Sequence, residues 1–173
     1  MSSKHELFMR TALAEAEKAL ATGEFPVGSL MVYENKIISR GRRSHSRSDG
    51  INELDHAEVI ALRNLVEERP EIEMARVVVY TTMEPCLMCY ATLLLNGIRK
   101  IVYGYEDIMG GGTNLPLLRL NPLYQEMKAV VIPGVLRKEC LLLFKDFFTD
   151  LRNTYWRNSR LAEYTLAQPI QEP

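Results

Sequence analysis

Asp55-His56-Ala57-Glu58-Val59-Ile60-Ala61-Leu62 and, further along, Thr82-Met83-Glu84-Pro85-Cys86-Leu87-Met88-Cys89 are the stretches around which the chain is organised. Together they supply one imidazole, two thiols with two residues between them, and a carboxylate beside the imidazole. Zinc takes His nitrogen and Cys sulfur in a tetrahedral shell, and a catalytic site uses three protein ligands and leaves the fourth position to water. His56, Cys86 and Cys89 supply three such ligands. Cys140 lies far along the chain in a segment with helical spacing, so it does not read as a fourth ligand. Glu58 is then free to move protons.

The local sequence places these groups at helix starts. Asp55 is a plausible N-cap for a helix from about His56 to Glu67, stopped by Pro70. Pro85 should open a second helix, through Cys86 and Cys89 to Asn96-Gly97. Helix N-termini carry partial positive charge, which favours thiolate over thiol. Residues two apart do not share a helix face, but in a first turn Glu58 can reach across from the imidazole. Removing an exocyclic amine from a purine or pyrimidine needs a hydroxide, a proton for the ring nitrogen and a proton for departing ammonia. Zinc supplies the first and one carboxylate can carry both protons. H-x-E followed by P-C-x-x-C is a signature of zinc nucleobase deaminases. A lone C-x-x-C is weaker, and fits a redox pair or a structural zinc half-site. A non-catalytic zinc-stabilised RNA-binding or redox module would have no use for Glu58.

Outward from the two stretches, Ser3 and Glu6 have capping-box spacing, and Phe8, Ala12, Ala16 and Leu20 recur at helical period up to Gly23. Val27–Tyr33 and Lys36–Ser39 read as a hairpin turning at Glu34-Asn35. Arg40 to Asp55 reads as a long loop, rich in Arg, Ser, Gly and Asp. The apolar run Arg76–Thr82 suits a strand buried on both faces. Arg99–Gly104 and Lys128–Ile132 are further strands, with a Gly- and Pro-containing loop from Tyr105 to Gln125. Leu136, Cys140, Leu143, Phe147 and Leu151 then keep helical spacing, with helix continuing towards Tyr164. The order predicts a five-stranded mixed sheet with helices on both sides, an α/β protein of three α/β/α layers. Residues 1–151 would form the deaminase domain and 152–173 a helical tail or extension. The 173 residues, 47% hydrophobic and 25% charged, suit one compact domain with a sizeable core. A net charge of −1 gives no global argument for nucleic acid. Three cysteines point to a reducing compartment, and the N-terminus has no apolar signal core, so a cytoplasmic protein with no membrane partner is expected.

The sequence resembles the cytidine deaminase superfamily, and most its tRNA adenosine deaminase branch. The likeness runs through Glu24-Phe25-Pro26-Val27-Gly28, the two stretches quoted above, Val102-Tyr103-Gly104, and Gly134-Val135-Leu136-Arg137-Lys138-Glu139-Cys140 with Phe147-Phe148. It implies one Zn²⁺ per chain on His56, Cys86 and Cys89, Glu58 as proton shuttle, and a homodimer. It also implies that Phe25, Val27 and Asp107 lie near the substrate, with Arg43 falling where relatives carry an Asn. Adenosine in tRNA is the substrate by resemblance; a free base or nucleoside, such as guanine or cytosine, is the alternative.

Arg40, Arg42, Arg43 and Arg47 could form a patch for tRNA phosphates, stay as a solvated loop, or fold one arginine in as a substrate clamp. Trp156, the only tryptophan, could close the pocket over a flat base or simply dock the tail. Gly110-Gly111-Gly112 reads as a flexible turn or lid hinge, and Cys140 as a small core residue. Glu84 could orient backbone beside the ligands.

Overall fold

The structure, a computed structural model, describes residues 3–47 and 49–170. The outer ends of the two expected segments, residues 1–2 and 171–173, lie outside the described residues. The chain opens with helix α1 (Lys4–Ala21), whose N-cap Ser3 and Glu6 complete the expected capping box. Next come β1 (Gly28–Tyr33) and β2 (Lys36–Arg42), joined at Glu34 and Asn35, which both have positive φ. That conformation matches the right-handed twist of a tight hairpin. Then follow α2 (Ala57–Glu68), β3 (Val78–Met83), α3 (Leu87–Leu95), β4 (Lys100–Tyr105), the short α4 (Pro122–Gln125), β5 (Val130–Ile132), α5 (Arg137–Thr149) and α6 (Arg160–Ala167).

Among the described residues the sheet runs β2-β1-β3-β4-β5. β1 is antiparallel to β2 and to β3, whereas β3, β4 and β5 are parallel, so the sheet is mixed as expected. Alternation along each strand feeds two apolar layers. Leu30, Tyr80 and Val102 face α1 and α5, where Phe144 and Phe147 are fully covered. Met31, Val79 and Ile101 face α2 and α3, packing on Leu65, Leu93 and Leu94. Gly41 lets α2 lie close on β2: a Cβ there would sit 2.1 Å from the Ala57 carbonyl oxygen. This contact seats the first turn of α2, which carries Glu58.

Three local expectations are corrected. Asp55 does not cap α2; its carboxylate takes hydrogen bonds from His45 and Asn52, and His56 is the N-cap instead. Pro85 likewise precedes the helix by two residues, with Cys86 as N-cap of α3. The last helix does not run on to Tyr164. It stops at Thr149, the chain turns through extended Asp150, and α6 starts afresh with Ser159 as its cap. Leu161 and Ala162 of α6 are buried in the same cluster as Phe8 and Phe144, so the tail shares the core of the preceding residues. Cys140 is buried there too, as expected.

Candidate active site

Two helix starts converge at the carboxyl end of β3. His56 and Cys86 both have extended backbone at their N-cap positions, and neither turns its side chain back to cap its own helix. Their side chains meet instead. The His56 Nδ1 lies 3.5 Å from Cys86 Sγ and 3.4 Å from Cys89 Sγ. All three candidate ligand atoms fall within 4.8 Å of one another. A tetrahedral ion with zinc-like bonds to sulfur and nitrogen requires N···S edges of about 3.5 Å. The donor set therefore fits zinc in both chemistry and spacing.

The Cys86 thiol is held down to about 4, by its hydrogen bond with Cys89 first and that with His56 after, against the effect of burial. Cys89 is pushed far up by the same pairing with Cys86 and by burial. Burial alone lowers His56, but its bond to Cys86 and the charge of Glu58 raise it on balance. With Cys86 lowered and His56 and Cys89 raised, the cluster holds protons on some of its donors that a bound cation would displace.

Glu58 is buried on the first turn of α2, between the donors and the sheet. Its Oε1 accepts a hydrogen bond of 3.0 Å from the Thr81 hydroxyl, and its Oε2 lies 3.5 Å from Cys89 Sγ. Burial, then the charge of Cys86, raise its pKa. The carboxylate is thus pinned at one oxygen and presents the other to the candidate ligands.

In front of this group lies a cavity of about 310 Å³, at the small end for ligand sites. The residues read from the sequence as substrate-facing, Phe25, Val27, Arg43, Asp107 and Trp156, all line it together with His56, Glu58 and Cys86. Asp107 Oδ1 accepts from the Met109 and Gly110 amides, and burial raises its pKa. The carboxylate of Glu84 accepts from the Asp107 amide and from Thr113, and so ties the loop after β4 to the ligand turn. Gly110-Gly111-Gly112 is not a free hinge. Gly111 bridges to Cys86, Gly112 donates to the Pro85 carbonyl, and a Cβ on Gly111 would meet Glu84 Oε2 at 2.5 Å.

The expected arginine patch divides among three places. Arg40 and Arg42 point from β2 towards Glu15 of α1, because alternation on the strand turns them away from α2. Arg47 contacts Asp49 and the Thr22 carbonyl beside a separate surface cavity. Only Arg43 folds in: it is 3% exposed, donates to the Ser44 and Asn52 carbonyls and to Glu53, and lies 5.6 Å from the centre of the Tyr155 ring. Trp156 sits at the cavity wall in a left-handed conformation (φ 54°), its side chain half-exposed.

Sequence reading missed Thr81, Glu53 and the part taken by Tyr155. Thr81 sits in an apolar strand, with no local signal that its hydroxyl meets a carboxylate. Glu53 is one of several polar loop residues, and only its place three residues before His56 hints at contact.

A three-layer α/β/α protein with a His/Cys/Cys donor set and a buried carboxylate at the floor of a small pocket is built as a zinc-dependent deaminase. The family model of the cytidine and deoxycytidylate deaminase zinc-binding region matches residues 2–105. The tRNA-specific adenosine deaminase of Bacillus subtilis is 33% identical over 155 residues, covering 87% of this chain and 92% of that protein. A structure from studies of A-to-I editing by tRNA:A34 deaminases superposes with a TM-score of 0.65 at 27% identity, over 76% of this chain and all of the other. The guanine deaminase of Bacillus subtilis matches with a TM-score of 0.53 at 27% identity, over 61% of this chain and 66% of that one. The chain belongs to the cytidine and deoxycytidylate deaminase family, and it is a hydrolytic deaminase.

Proposed function

We propose that the protein deaminates adenosine to inosine in tRNA, with one zinc ion held by His56 Nδ1, Cys86 Sγ and Cys89 Sγ and with Glu58 as the proton carrier. When bound, zinc would supply a Lewis acid that activates water for attack on the ring carbon bearing the amine. Glu58 would take a proton from the attacking water and give it to the adjacent ring nitrogen, then move the proton of the added hydroxyl to the amine, so that the C–N bond breaks, ammonia leaves and the ring carbon becomes a carbonyl. Phe25, Val27 and Trp156 give the base apolar walls, and Asp107 and Arg43 line its polar edge. The observation that carries this reading is Glu58: a buried carboxylate pinned by Thr81 at one oxygen, with the other turned to the donor set at the pocket floor.

The tRNA substrate is supported by the likeness to the Bacillus subtilis tRNA-specific adenosine deaminase over most of both chains. A free base such as guanine is the second reading. It is favoured by the tail aromatics Tyr155 and Trp156 on the wall of a small cavity, and by the likeness to a guanine deaminase. Residues 1–151 would form the deaminase domain, and 152–173 a helical tail or extension, of which Tyr155, Trp156 and Leu161 line the pocket. Leu87 and Leu95 of α3, and Leu118 and Leu123 in the segment before β5, are exposed apolar side chains that the expected homodimer would have a use for covering. Three free cysteines suit the reducing cytosol.

Ammonia release measured on tRNA and on a panel of bases and nucleosides, from low to high salt, tests the substrate. Inosine formation in tRNA that weakens with salt is expected, because bound phosphates release counterions. Turnover of a free base that is indifferent to salt, with none on tRNA, would overturn the first reading and leave the second.

A further inference from the structure

Binding of zinc through Nδ1 would leave the other nitrogen of His56 free to meet an outer partner. With Nδ1 turned to both sulfurs, a neutral imidazole must carry its proton on Nε2. That N–H faces Glu53, whose Oε2 lies 3.5 Å away. The same oxygen accepts hydrogen bonds from Arg43 Nη2 at 3.0 Å and from the Tyr155 hydroxyl at 2.9 Å. Arg43 is itself fixed: buried, bonded to two carbonyls, and stacked on the Tyr155 ring. Tyr155 is anchored in turn, its ring 5.4 Å from that of Phe25. Arg43, Glu53 and Tyr155 thus contact one another pairwise, and the apex of the triangle points at the imidazole.

We propose that Glu53 is a positioning residue through which the C-terminal tail fixes the zinc-binding imidazole: Arg43 and Tyr155 hold its carboxylate, and the carboxylate holds the Nε2 proton of His56. Ligating histidines are oriented by such outer partners, which set both tautomer and ring angle. Here the partner is half-exposed on a loop, so it would wander without two further donors. One of those donors comes from Tyr155, beyond the last strand and the long α5, so tail docking and metal binding are linked. The proposal rests on the reading that His56 binds zinc through Nδ1.

The test is zinc release from the loaded full-length protein to a chromophoric chelator. Glu53→Ala should lower zinc affinity about 10- to 100-fold. Tyr155→Phe keeps the ring packing and removes only the hydroxyl, and should lower affinity in the same direction by less. The double variant should be no weaker than Glu53→Ala alone, because Tyr155 acts through Glu53. Glu53→Gln, which keeps size and one acceptor, should fall between wild type and Glu53→Ala and guards against a folding defect in the latter. Zinc affinity of Glu53→Ala or Glu53→Gln within twofold of wild type would overturn the proposal. Strictly additive effects of the two single variants would do so as well. A wild-type chain that cannot be loaded with zinc at all would instead remove the reading beneath it.

Discussion

Thr81→Val is the sharpest probe of how Glu58, the proposed proton carrier, is held. The substitution is nearly isosteric and falls in the middle of β3, at a position with no exposed surface. It deletes one interaction, the 3.0 Å hydrogen bond from the Thr81 hydroxyl to Glu58 Oε1. Glu58 is only 3% exposed, so water cannot easily replace the lost donor. A hydrogen bond to a charged group contributes about 1.5–3 kcal/mol. If that energy holds Oε2 towards the ligands and the reacting base, its loss appears in the transition state. With 1.4 kcal/mol per factor of ten, kcat should fall by roughly one to two orders of magnitude. KM should change little, since Thr81 does not line the cavity. Zinc content should stay at wild-type level, and Thr81→Ser should restore most of the rate by returning the hydroxyl. The assay is steady-state deamination with metal analysis of the same samples. A Thr81→Val enzyme with kcat within twofold of wild type would refute the view that this bond orients Glu58.

Three other outcomes are expected. Glu58→Gln should fold and retain zinc, yet lose deamination by several orders of magnitude, since in the proposed reaction every proton transfer passes through that group; a tenth of wild-type activity would remove it from that role. Cys86→Ala should lose zinc on dialysis, whereas Cys140→Ala should keep it, because Cys140 packs against Gly104 in the core away from the donors; elemental analysis of both variants decides. Glu106 should make the tail acid-sensitive. Burial raises its pKa, but hydrogen bonds from Arg137 and Tyr164 outweigh burial and hold it below the ordinary 4.5. A carboxyl depressed in the fold adds stability above its unfolded pKa and loses it as the pH falls through the folded value. Protection of the α6 amides, relative to their intrinsic exchange, should therefore fall as the pH drops below the ordinary 4.5, and Glu106→Gln should flatten that dependence.

Most of the fold was legible because its signals are local. The capping box at Ser3, the Glu34-Asn35 turn and the β-branched run before Thr82 each specify their own element. Parallel pairing of β3 with β4 then follows from the helix between them. Helix boundaries were harder. Asp55 and Pro85 carry strong start signals by composition, yet both are overruled by what their neighbours must reach. Asp55 is drawn to His45 and Asn52, and His56 takes the cap position because an extended backbone there aims its ring at the cysteines. The break at Asp150 was hidden because helical spacing persists through Leu151, while the chain beyond Asp150 folds back and sets Tyr155 against Phe25, a contact with no local signal.

The site divides along the same line. His56, Cys86, Cys89 and Glu58 could be read from spacing, because their chemistry needs those residue types close together in short motifs. Their supports could not, because those contacts close across long separations in the chain: Thr81 to Glu58, and Tyr155 to Glu53. The arginines make the point most plainly. Arg40, Arg42, Arg43 and Arg47 look alike in sequence, but the period of β2 sends two of them to Glu15, while Arg43, just past the strand, turns inward to Glu53 and the pocket. A charge cluster in a linear sequence is therefore no patch until strand alternation has assigned each member a face. Of these four, the one that lines the pocket is the one with the least exposed surface.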